Sequence, residues 1–101
     1  MASKWVALTV RRLKPGTYGD WRAAWEGEGD FPRGVHAYIL RNLGDPDEIV
    51  AFGITERSPE EMQSDPTLTR EAMDARNAAM APYVESTGAD GFYEVIDEVV
   101  G

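Results

Sequence analysis

The chain has 101 residues, a formal net charge of −8 and no cysteine. That length suits one domain, residues 1–101 with no internal linker, large enough for a core but near the size at which a second subunit helps. The acidity argues against sequence-independent binding to DNA or RNA and against adsorption to anionic membranes, and the missing cysteines remove disulfide and thiolate chemistry.

The amino terminus is too short, and too soon interrupted by Arg11 and Arg12, for a signal peptide. No run approaches the roughly 20 apolar residues that span a bilayer, so a cytoplasmic protein is expected. Trp5–Leu13 reads as a strand apolar on both faces, with Val6, Leu8 and Val10 opposite Trp5, Ala7 and Thr9. Pro15 and Gly16 break it. Thr17 is placed to cap a helix with Asp20 three residues on, and Tyr18, Trp21 and Trp25 follow at helical spacing until Gly27. Residues 28–34 have loop composition around a lone Phe31.

Val35–Asn42 and residues 48–56 are strand-like runs joined by a turn at 43–47, which predicts an antiparallel hairpin. Ser58, Pro59 and Glu61 form a strong helix start, and Asp65 and Pro66 interrupt and restart the helix. The long helix is predicted over about 66–84, loosened at Pro82 and ending near Gly88, and a last strand over 92–100. The order strand, helix, strand, strand, helix, strand is the α+β, ferredoxin-like βαββαβ arrangement: a four-stranded antiparallel sheet with the helices on one face. Strands apolar on both faces leave the other face in need of a cover, and a second copy of the chain is the simplest one.

Projected as an unbroken helix, residues 68–84 place Arg76 among Leu68, Ala72, Ala79, Tyr83, Met73 and Met80. A guanidinium there keeps its charge and needs acceptors. It is either an ion pair to a sheet carboxylate such as Glu94 or an anchor for a ligand's carboxylate, phenolate or enolate. Asn77 falls at the edge of the same arc.

Several stretches carry a family resemblance: the Lys14-Pro15-Gly16 turn, the aromatic first helix, the hairpin from Tyr38 through Asn42, Gly44 and Pro46 to Asp47, the Asp65-Pro66 restart, and Phe92-Tyr93-Glu94-Val95-Ile96. In these features nearly the whole chain resembles the dimeric α/β-barrel superfamily, and within it the small antibiotic-biosynthesis-monooxygenase-like proteins. The resemblance implies a homodimer with sheets paired face to face and an apolar pocket between sheet and helices. That superfamily includes cofactor-independent oxygenases of quinol-like aromatics, haem-degrading enzymes, isomerases and proteins with no established activity, so fold constrains function weakly. Haem-degrading members would place a histidine on the second helix, whereas the one histidine here is His36, in the second strand.

The expectation that follows is a homodimer binding an apolar or aromatic small molecule, with no metal or other cofactor, as a cofactor-independent monooxygenase of a quinol-like aromatic or as a non-catalytic ligand-binding or interaction protein. In the oxygenase version His36 is the base that takes a phenolic proton, and Arg76 stabilises the anion that reduces oxygen. Trp21, Trp25, Tyr38, Asn77 and Tyr83 are the candidate ligand contacts. Each has a plain structural alternative, the aromatics as core and Asn77 as a helix-edge amide. Asp45, Asp47 and Glu48 lack the spacing of a calcium loop and read as an acidic turn.

Overall fold

A computed structural model of the protein describes residues 4–27 and 32–101, so most of the loop expected at 28–34 lies outside the described residues. The elements are β1 (Trp5–Leu13), α1 (Tyr18–Glu26), β2 (Val35–Asn42), β3 (Asp45–Thr55), α2 (Pro59–Gln63), α3 (Arg70–Met80) and β4 (Val84–Glu94), with 3-10 turns at Pro66–Leu68 and Ala81–Tyr83. The four strands form one sheet in the order β2-β3-β1-β4, and every pairing is antiparallel. This is the ferredoxin-like arrangement the element order predicts. No helix among the described residues is long and apolar enough to cross a membrane.

Pairing of Thr9 with Ala51 and of Arg11 with Ile49 fixes which side chains share a face. Trp5, Ala7, Thr9, Arg11 and Leu13 look toward the helices together with Ile49, Ala51 and Thr55. The core forms at one end of that inner face, where Leu13, Ile49 and Ala51 meet Trp21 of α1 and Met80 of α3. Trp21 is fully buried. Val6, Leu8, Val10, Val50, Phe52 and Ile54 occupy the outer face with Tyr38 and Leu40 of β2, where Tyr38 stacks on Phe52 at 5.2 Å yet stays half exposed. The Cα extents of 43 × 38 × 18 Å are those of one sheet under one helical layer.

The second helical region departs from the unbroken helix over 66–84. Thr69 is extended, at φ −64° and ψ 155°, and its hydroxyl accepts from the Ala72 N–H, so α3 starts afresh at Arg70. Leu68 therefore lies outside the helix onto which it was projected. Ser58 does form the expected capping box with Glu61. Thr17 precedes α1 without capping it, because its hydroxyl donates instead to the Lys14 carbonyl at 2.6 Å.

The last strand also differs: it is Val84–Glu94, and residues 95–101 have no regular structure. Leu13 pairs with Val84 and Trp5 with Glu94, so β1 runs out after the first three residues of the predicted strand. Glycine and polar residues hid this strand from a reading based on apolar runs. An edge strand with one partner tolerates them. Gly88, expected near a helix end, sits inside β4. The hairpin is tighter than predicted as well, with β3 beginning at Asp45 and Asn42 Oδ1 accepting from the Gly44 N–H at 2.8 Å.

Candidate ligand cleft between α3 and β4

Two register shifts in β4 shape its inner surface. Between the pairs Thr9 with Asp90 and Arg11 with Thr87, β1 advances two residues and β4 three. Gly88 and Ala89 thus oppose Val10 alone, which is a β-bulge. In a regular strand Thr87 and Asp90, three apart, would point to opposite faces; across the bulge both keep company with Thr9 and Arg11 on the inner face. Thr9 Oγ1 donates to Asp90 Oδ1 at 3.1 Å.

The helices do not reach this part of the sheet. Residues 85–90 of β4 stay exposed, and a cleft of about 440 Å³ lies between β4 and the carboxy-terminal end of α3. Met80, Ala81 and Val84 supply its apolar wall, and Arg11, Asn77, Glu85, Ser86, Thr87 and Asp90 its polar groups. Arg11 is half-buried, with its guanidinium 5.8 Å from the centre of the Trp21 ring. Burial pulls its pKa below the usual arginine value, and the nearby charge of Asp90 acts in the opposite sense. Among the described residues Arg11 makes no hydrogen bond and no ion pair; the Trp21 ring is its specific contact. The Trp21 Nε1–H, buried in that same ring, has no acceptor among them either.

The aromatic stripe of α1 is core with polar edges. Ring centres of Tyr18 and Trp21 are 5.9 Å apart and those of Trp21 and Trp25 6.2 Å, with Arg41 over Tyr18 at 5.2 Å and Arg22 over Trp25 at 5.1 Å. Tyr83 is half-buried against the core, and its carbonyl accepts from the Lys14 N–H at 2.9 Å. A smaller hollow of about 270 Å³ at this end is lined by Lys14, Tyr18, Arg41 and Asp47 among others.

Of the residues singled out from the sequence, the structure brings Asn77 to the cleft. Trp21 lies beneath it in the core, and Trp25 packs against that core further along α1. His36 and Tyr38 stand exposed on the outer face, so the sheet separates them from the cleft within one chain. Arg76 is half-buried on another side of α3, where its Nη2 donates to the Thr67 carbonyl at 3.4 Å and its Nε lies beside Gly27. It has no carboxylate partner among the described residues, and the expected pair with Glu94 is not formed. Asp45, from the acidic turn, makes an ion pair with Arg12 that holds its carboxyl below the usual range.

Arg11 is the residue the sequence reading passed over. Its signal was present in the alternation Trp5, Ala7, Thr9, Arg11, Leu13, which puts it in line with core residues. The bulge that completes its surroundings depends on pairing with β4.

No protein-family model and no curated protein sequence matches the chain. Solved structures do. A protein from Chloroflexus aurantiacus J-10-fl named as a candidate antibiotic biosynthesis monooxygenase superposes with a TM-score of 0.64 at 19% identity, over 98% of this chain and 97% of its own. One from Bordetella bronchiseptica with the same designation superposes with a TM-score of 0.62 at 12% identity, over 96% of this chain and 99% of its own. Topology and superposition agree that the chain has the ferredoxin-like fold of these antibiotic biosynthesis monooxygenase-like proteins.

Proposed function

We propose that the protein is a homodimer that binds an apolar or aromatic small molecule in the cleft between α3 and β4. The cleft itself carries this reading. Its volume of about 440 Å³ falls in the range usual for small-molecule sites, roughly 300–1,000 Å³, and in this open, mostly polar cleft Met80, Ala81 and Val84 supply one apolar wall. Dimerisation is supported by the outer sheet face, where Val6, Leu8, Val10, Val50, Phe52, Ile54, Tyr38 and Tyr93 form neutral rows. Two copies of a chain of charge −8 would meet there over apolar side chains, with Arg12 and Glu48 at the far end of the same rows. Light scattering should give twice the chain mass, and Phe52→Lys should halve it; a stable monomer at micromolar concentration contradicts the dimer. A thermal-shift screen with quinols, polyphenols and small organic acids tests the cleft. Hits whose shift disappears when Asn77→Trp fills the cleft support the reading, and hits unaffected by that change refute it.

The fold likeness to candidate monooxygenases supports a catalytic version of this reading, the cofactor-independent oxygenation of a quinol-like aromatic. In it the phenol loses its proton to water in the open cleft, and the phenolate, held by Arg11, gives one electron to dioxygen. The phenoxyl radical and superoxide join in a C–O bond, and the resulting peroxide anion takes back a proton from water to become a hydroperoxide. Loss of water from the hydroperoxide leaves a carbonyl, with one oxygen atom in the quinone and the other in water. Oxygen uptake with a dihydroxy-aromatic, without added flavin or metal, is the expected result. Binding without uptake assigns the cleft to a non-catalytic ligand-binding protein.

A further inference from the structure

Resting on the cleft reading, we infer that the ligand is an aromatic hydroxy acid, with its carboxylate seated on the Arg11 guanidinium and its hydroxyl facing Asp90. Three observations select this class. A half-buried guanidinium whose donors find no acceptor among the described residues sits at the floor of the cleft, and a carboxylate matches its planar fork. Glu85 and Asp90 line the same cleft, so any anion seated on Arg11 meets their charges; a ligand that also brings a hydroxyl donor offsets this by turning Asp90 into a partner, which a bare inorganic anion cannot do. The bulge at Gly88 and Ala89 places Thr87 and Asp90 side by side on the inner face, where a regular strand would turn one of them away. Between these polar groups the wall of Met80, Ala81 and Val84 fits an apolar ring.

Arg76 has no such setting. Its guanidinium already donates to the Thr67 carbonyl, and it is absent from the cleft lining.

The test is calorimetric titration of the full chain at pH 7 with 3,4-dihydroxybenzoate, its methyl ester and benzoate. The acid should bind, with the ester and the benzoate each weaker by on the order of 10- to 100-fold. Arg11→Met should bring acid and ester to the same affinity while ester binding stays as in the parent, which also shows that the variant is folded. Arg76→Met should leave the preference for acid intact. An ester that binds as tightly as the acid, or an Arg11→Met protein that still prefers the acid, overturns the Arg11 anchor alone and leaves the cleft reading standing. Equal binding of benzoate and the dihydroxy acid overturns the role of Asp90. If neither acid nor ester binds, and no member of the thermal-shift screen does, the cleft reading falls and the anchor with it.

Discussion

Arg57 and Arg11 are both arginines at the junction of sheet and helices, and their surroundings differ in kind. Arg57, just past β3, donates to the Arg33 carbonyl at 2.6 Å, to Asp65 Oδ2 at 3.0 Å and to the Glu61 carbonyl at 3.3 Å, while its own carbonyl accepts from Trp5 Nε1 at 2.7 Å. It ties β1, β3, α2 and the 3-10 turn together. Arg11, within β1, has the Trp21 ring against its guanidinium and lines an open cleft. A saturated arginine serves the fold, and an unsaturated one at the floor of a cleft is available to something else.

The largest effect expected from this contrast is at Arg57. Arg57→Met removes three hydrogen bonds and leaves buried Asp65 without its cation, so the melting temperature should fall by about 5–10 °C. A shift below about 2 °C would mean that the network is not what joins these elements.

Acid should act at the same place. Asp65 accepts from the Thr67 hydroxyl at 2.6 Å and the Thr67 N–H at 2.9 Å, and these bonds, with Arg57, hold its carboxyl below the usual range. With the folded pKa below the unfolded value of roughly 4, its stabilisation is complete above that pH and disappears as pH falls through the folded value. Stability of the parent chain should therefore drop more steeply below about pH 4 than that of Asp65→Asn, as followed by urea midpoints. Parallel acid limbs would remove Asp65 from the account. A smaller loss, about 1 kcal/mol by denaturant titration, is expected for Ser58→Ala, which opens the capping box of α2.

The same contrast shows what a linear reading can and cannot reach. Ser58, Pro59 and Glu61 announce a helix start through local hydrogen bonds, and β1 announces itself by a run of β-branched and large apolar residues, because the physics of each lies within a few residues. The hairpin was legible for the same reason, through Gly44 between two apolar runs. β4 was not: its run from Glu85 to Asp90 is polar and glycine-bearing, and it is a strand only because β1 offers an open edge. Arg76 is half-buried and donates to the Thr67 carbonyl, one of the acceptors its charge called for, but its neighbours differ from those of the projection. A helical projection assumes both an unbroken helix and a sheet that covers its whole arc, whereas Thr69 breaks the first condition and the short reach of α3 over β4 breaks the second. Arg11 was passed over although alternation puts it in line with core residues, since its value depends on which end of the sheet the helices leave open.

Replacing Arg11 should change stability least of all, and that makes it the most direct test of the central claim. Paired thermal melts of the parent chain and Arg11→Met, without ligand, should agree within about 2 °C or favour the variant, because methionine packs on the Trp21 ring without an unpaired charge. If Arg11→Met melts as far below the parent as Arg57→Met does, Arg11 belongs to the scaffold, and the cleft between α3 and β4 loses its anchor.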